Sequence, residues 1–180
     1  MARDAHGDHG RRALVLAAAL ALSCAGVREA LTPAPQGQPS GRDGWLLYTL
    51  GALRFEAPAG WAASGGPRHL KLEGLSGGAR LEVSTPEAVF ASPAACLADA
   101  EAVMKRGEAM QRVRRHATTF GGARGLFLEG DSAGWHVWAW AACEGGTQYQ
   151  VFLTARSPAP PEVVDAYRSL TASARLGGDA

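Results

Sequence analysis

A chain of 180 residues with 47% hydrophobic content makes one domain, or one domain with appendages, and can close a sizeable core. A formal net charge of +1 with only 19% charged residues excludes the basic footprint of a nucleic-acid-binding domain. The first 23 residues hold Arg3, Arg11 and Arg12 against Asp4 and Asp8, and the rest is balanced, so "QRVRRHA" (Gln111–Ala117) reads as a solvated strand face more than an anion site.

The head, residues 1–23, has the three parts of a secretory signal. Arg11 and Arg12 supply the positive end, Ala13–Leu22 the apolar run, and small residues follow. The run is about half of the roughly twenty residues that a membrane-spanning helix needs. A buried helix of the domain is the competing reading, but the run has no polar face and leads into a Pro-rich segment. "ALSC" (Ala21–Cys24) resembles the bacterial lipoprotein box, with Ala21 where Leu is usual and Leu22 where a small residue is usual. The resemblance implies diacylglycerol on the Cys24 thiol, cleavage before it, and a palmitate-bearing membrane anchor; ordinary secretion is the alternative. Each buried CH₂ contributes about 0.8 kcal/mol, so two or three acyl chains hold firmly where one does not. Ala25 instead of Asp after the cysteine is similar to the pattern that sorts lipoproteins to the outer membrane. "RRALV" also fits a minimal twin-arginine export signal.

With Cys24 lipidated, Cys96 and Cys143 remain as an even pair in an oxidising compartment, and a disulfide between them is expected, two free buried cysteines being the alternative. Residues 24–43, including "TPAPQGQPSG", lack hydrophobic periodicity and are expected to be a flexible Pro/Gly spacer.

The globular domain is expected over 44–177. Trp45–Leu50 and Leu53–Glu56 read as strands. Leu70 and Leu72, then Leu81 and Val83, alternate with polar residues around the hairpin turn "GLSGGAR". "SPAACLADAEAVMKRG" (Ser92–Gly107) is the clearest helix, with Ser92 as N-cap, Pro93 in the first turn, Lys105 and Arg106 in the last, and Gly107 to end it. Four strands follow over Arg112–Thr119, Arg124–Asp131, Trp135–Cys143 and Thr147–Ala155, joined by turns short enough to force an antiparallel meander. A second helix begins near Pro160, with Val163, Val164, Tyr167 and Leu170 as its stripe, and Ser173–Leu176 returns to a sheet edge. The late strands are apolar on both sides, so the sheet needs cover on both faces. The fold class is α+β: an antiparallel meander with two main helices packed on it.

The order "LRFEAPAGW", hairpin, helix, "TTFGGARGLFLEG", aromatic strand, "GTQYQVFLTAR" and final helix "PEVVDAYRSL" resembles the PsbP-like fold over about residues 45–177. That group takes in the photosystem extrinsic protein and many bacterial envelope lipoproteins. The resemblance implies an α/β/α sandwich acting as a binding or accessory module. It carries over no functional residue.

His69, His116 and His136 fall on three different strands without metal-ligand spacing, and no Gly-x-Ser-x-Gly elbow accompanies them. No metal or cofactor is expected. "GGARGLFLEG" (Gly121–Gly130) has the wrong spacing for a phosphate loop and precedes a strand, so hairpin glycines explain it. "WHVWAW" places His136, Trp138 and Trp140 on one strand face, which suits glycan or peptide binding if exposed and core packing if covered. The expected function is a non-enzymatic envelope lipoprotein that binds a protein partner of an envelope complex, without nucleic acid. The alternative is a small envelope hydrolase or ligand-binding enzyme using His69, His116 or His136.

Overall fold

The computed structural model describes residues 33–74, 76–107 and 109–177. The expected signal (1–23) and the lipidation site Cys24 lie outside the described residues.

Two antiparallel sheets and two helices make up the described fold. The larger sheet contains β4 (Ala62–Gly66), β5 (His69–Glu73), β6 (Ala79–Ser84), β7 (Gln111–Phe120), β8 (Ala123–Ser132), β9 (Trp135–Glu144) and β10 (Thr147–Arg156), in the order β4-β5-β6-β10-β9-β8-β7. The smaller has the order β1-β2-β3-β11, built from β1 (Gln38–Pro39), β2 (Trp45–Leu50), β3 (Leu53–Pro58) and β11 (Arg175–Leu176). Helix α1 spans Pro93–Gly107 and α2 spans Pro161–Ser173.

Period-two alternation sorts β9 and β10 onto two cores. Val137, Ala139 and Ala141 join Leu126 and Leu128 beneath Ala100 and Met104 of α1. On the opposite face Trp140, Ala142, Tyr149, Val151 and Leu153 pack with Phe55 and Leu53 of the small sheet and Val163 and Leu170 of α2. The sheet is therefore covered on both faces, as its doubly apolar strands require. One cover is a helix; the other is a small sheet and a helix together, richer in strand than a plain helical layer.

Helix α1 begins as its sequence signals: the Ala95 N–H donates to Ser92 Oγ at 3.2 Å. Its Cys96, Ala100 and Met104 are buried, one turn apart on a single stripe. Cys96 is disulfide-bonded to Cys143, 47 residues away, so the row that begins at Val137 ends by fastening the helix covalently. Gln148, fully buried beside it, donates from Nε2 to Cys96 O at 2.9 Å and to Asp99 Oδ2 at 3.2 Å. At the far end Glu101 takes Lys105 at 2.7 Å and Arg115 of β7 at 2.8 Å. The hydrogen bonds from Lys105 and Arg115 hold the Glu101 carboxyl below the usual glutamate range. In α2, Val163, Ala166, Ser169 and Leu170 face inward, whereas Val164, expected on the apolar stripe, is 37% exposed.

The folded body begins earlier than expected. Residues assigned to the spacer up to Asp43 take part in it: Gln38 and Pro39 pair with Leu47 and Leu46, and the Arg42 guanidinium lies 3.8 Å from the Trp45 ring centroid. Arg42 Nη1 also donates to Glu56 Oε2 at 3.0 Å and to Ser169 Oγ at 3.2 Å, joining this segment to β3 and α2. Strand β4, "AASGG", had no alternation to announce it; it adds to β5 as an exposed edge strand. The "GG" before β8 is structural. Gly121 has φ +62° and a Cβ there would lie 2.9 Å from Leu176 N, so only glycine lets this turn meet β11.

For a disulfide closing a loop across 47 residues, the chain-entropy estimate is about 4 kcal/mol. Replacing Cys96 and Cys143 together by alanine is expected to lower Tm by about 10 °C in calorimetry, at roughly 2–4 °C per kcal/mol for a domain of this size. A fall under about 2 °C would mean that the cross-link holds nothing the rest of the fold does not.

Candidate functional site

The short turn Ala133–Gly134 sets the β8–β9 register, pairing Asp131 with His136 and Glu129 with Trp138. All four side chains consequently stand on the sheet face that α2 borders. His136 Nδ1 lies 3.2 Å from Asp131 Oδ1 and His136 Nε2 lies 3.1 Å from Glu129 Oε1. Each carboxylate reaches an arginine of the edge strand as well: Arg112 to Asp131 at 2.8 Å and Arg114 to Glu129 at 3.0 Å. An irregularity in β7 between Gln111 and Arg114, with Arg112 at φ +53°, re-aims these arginines. Gly130 makes room for it, because a Cβ there would meet Gln111 O at 2.7 Å.

The five-group network borders an open cavity of about 400 Å³ lined by Arg112, Arg114, Gly130, Asp131 and His136. The hydrogen bond from His136, with the Arg112 charge beside it, holds the Asp131 carboxyl below the usual aspartate range. Burial, with the Glu129 charge as a lesser cause, pushes the Tyr167 hydroxyl up.

Behind this network lies an aromatic row. The His136 ring meets Trp138 edge-on at 4.4 Å between centroids, Trp138 meets Tyr167 at 5.6 Å, and Tyr167 meets Trp140 at 5.5 Å. Phe127 closes on Trp140 at 5.2 Å, and exposed His116 stacks on Phe127 at 5.9 Å. Trp140 is 3% exposed, so of the two readings of its strand face it takes core packing and offers no surface to a ligand. Trp138 is half-buried and His136 side chain 22% exposed, and these two reach the surface.

The three histidines are not brought together. His69 is on the α1 face of β5, opposite Ser84, while His116 and His136 share the other face. Two strands and four residues separate the latter pair, on the order of 16 Å from strand spacing and rise. Both ring nitrogens of His136 lie within hydrogen-bonding distance of carboxylates, Asp131 on one side and Glu129 on the other. Among the described residues no group of three His, Cys, Asp or Glu is placed to hold a metal, and no helix is long and apolar enough to cross a membrane. Sequence reasoning missed Glu129, Asp131, Arg112 and Arg114. The signal was present in "SAG": a turn centred on Ala133–Gly134 fixes every partner across β8 and β9 by counting outward.

No family model matches the chain, and no curated protein matches it in sequence. The solution structure of cyanobacterial PsbP (CyanoP) from Synechocystis sp. PCC 6803 is similar in fold, with a TM-score of 0.54 and 13% sequence identity, over 78% of this chain and 97% of that chain. The fold is thus PsbP-like.

The lowered pKa of Asp131 makes its share of the fold's stability depend on pH. Its contribution to stability is present above the unfolded carboxyl pKa, about 3.9, and is lost as pH falls through the lower folded value. Carbon-detected NMR titration should place the Asp131 midpoint below 3.9 or so, and His136→Ala should raise it toward that value. An unchanged midpoint in the variant would remove the His136 hydrogen bond as the cause.

Proposed function

We propose that this chain is an envelope lipoprotein whose PsbP-like domain is a non-catalytic binding module, held at a membrane by acyl chains on Cys24 and docking a protein partner. One observation carries the reading. Cys96 and Cys143, the only cysteines of the folded body, are bonded to each other. A structural disulfide belongs to an oxidising compartment, so it agrees with export by the signal-like head. It also leaves Cys24 as the single unpaired thiol, directly after an apolar run that is followed by a spacer.

Several further features support a binding role. The fold similarity to CyanoP spans almost all of that protein. His136, the best-organised titratable group, has both ring nitrogens engaged with carboxylates in an arrangement suited to holding a surface in shape. The partner-facing surface in this reading is the β7–β8–β9 face beside α2, where Arg112, Arg114, His116 and the outer edge of Trp138 lie together. Charged groups at its rim and aromatic area behind them are the usual anatomy of a protein interface. Ala25 after the cysteine supports the outer membrane over the inner as the place of the anchor.

Cells expressing the wild-type chain are expected to incorporate labelled palmitate into it and keep it in the membrane fraction, whereas Cys24→Ser abolishes the label and releases the protein. Crosslinking in the intact envelope should recover a defined neighbour that Arg112→Glu/Arg114→Glu loses while the lipid label is retained. An unlabelled wild-type product whose fractionation ignores Cys24→Ser defeats the anchor. A labelled product with no specific neighbour defeats the docking role.

A further inference from the structure

We infer that the opposite face of the large sheet carries a binding cavity for a neutral saccharide, with Trp135 as its wall. Helix α1 lies over β8, β9 and the near side of β10, where Ala100 and Met104 meet Leu126, Leu128 and Val137. Beyond it the same face continues across β6 and β5: Thr154 pairs with Val137 on one side and Arg80 on the other, and Arg80 pairs with Glu73. Here the side chains change from apolar to polar, with Lys71, Arg80 and Glu82 part-exposed and Glu73 exposed.

At one end of this face the β5–β6 turn and the β8–β9 turn stand on either side of a cavity of about 360 Å³. Its lining includes Trp135, Glu73, Arg80, Ser132 and Thr154. The volume falls in the range of small-molecule sites, about 300–1,000 Å³. The Arg156 guanidinium lies 5.3 Å from the Trp135 ring centroid, so the indole is held as a wall by a cation–π contact.

The charges in the cavity decide the ligand class. Glu73 already takes Lys71 Nζ at 2.7 Å, and Arg80 Nε already reaches Glu82 at 3.3 Å. The hydrogen bond from Lys71 and its charge, with Arg80 nearby, hold Glu73 ionised below the usual glutamate range. A ligand bearing a carboxylate or ammonium would compete with these counterions. A neutral polyol does not. It adds hydroxyl hydrogen bonds to a carboxylate and a guanidinium that keep their partners, it meets the Ser132 hydroxyl at the rim, and it lays its C–H face on the indole, while the buried Thr154 keeps its own hydroxyl on Arg80 O at 3.4 Å. Donors and acceptors are both present without net charge, beside one aromatic plane; that combination fits a mono- or disaccharide unit. The inference is independent of the lipid anchor and of the protein partner, because it concerns the other face of the sheet.

The test is titration of the purified full-length chain with cellobiose, di-N-acetylchitobiose and maltose, and in parallel with the dipeptide Gly-Leu as a zwitterion. Two-dimensional NMR of the indole N–H signals and calorimetry are the readouts. At least one sugar is expected to shift the Trp135 signal saturably. Trp135→Ala should weaken that binding about tenfold or more, as expected for loss of a main contact surface, and Glu73→Gln, at an exposed site that leaves the fold intact, about threefold or more. Arg168→Ala, at an exposed position of α2, the helix that covers the other face, should leave it unchanged. No shift with any of the three sugars up to their solubility, equal binding by Trp135→Ala and Glu73→Gln, or a response to Gly-Leu in place of the sugars would each overturn the assignment.

Discussion

The fold depends on one strand having two different faces. Strand β9 places Val137, Ala139, Ala141 and Cys143 on one side and Trp138, Trp140 and Ala142 on the other. The sizes are matched to the covers. Alanines let α1 approach closely, with Ala100 at the middle of its own buried stripe, whereas tryptophans fill the deeper space toward α2 and the small sheet. A bulky residue at Ala139 would have to lift the helix or twist its own rotamer, since interiors packed like crystals have no slack to absorb it. The disulfide extends the same logic. Cys143 continues the small-residue row, and its bond to Cys96 fixes the helix in the register that the alanines permit.

Much of this was legible because local signals agree with the global arrangement. Period two in β5 and β6, the doubly apolar β9 and β10, and the Ser92 cap and terminal Gly107 of α1 name their elements without help from neighbours. What stayed illegible depends on long-range pairing. That residues 173–176 return to a sheet edge is legible, but their partner is not: β11 closes the small sheet by pairing Arg175 and Leu176 with Arg54 and Leu53, and nothing in either short segment names the other. Strand β1 is two residues long and draws its place from Leu46 and Leu47. Arg42 looked like the end of a polar spacer, yet its guanidinium serves Glu56, Ser169 and the Trp45 ring at once. Composition describes what a segment can do alone, and these segments fold by what they touch.

The site divides along the same line. Alternation placed His136, Trp138 and Trp140 together on one face, but which tryptophan is sealed depends on Tyr167, a residue of α2 that reaches both rings. The carboxylates on His136 are a matter of register, obtainable by counting outward from the turn at Ala133–Gly134. The cavity walled by Trp135 is harder to see. It needs the ends of two separate hairpins to meet across β10, with Glu73 and Trp135 more than sixty residues apart in the chain.

Charge pairing then explains why an arginine-rich strand does not make a basic surface. Edge strand β7 carries "QRVRRHA", and each of its three arginines has an acid opposite: Asp131 for Arg112, Glu129 for Arg114 and Glu101 for Arg115. Arginines along an exposed edge also discourage another strand from pairing there, and the irregularity at Gln111–Arg114 adds to that protection. Across the sheet Lys71 with Glu73 and Arg80 with Glu82 repeat the pattern. With its charges answered locally on both faces and a net of only +1, the molecule projects little long-range field to steer a charged partner. A partner or ligand of the kind proposed for either face would therefore be held by contact itself: shape, aromatic area, and hydrogen bonds to groups that are already neutralised.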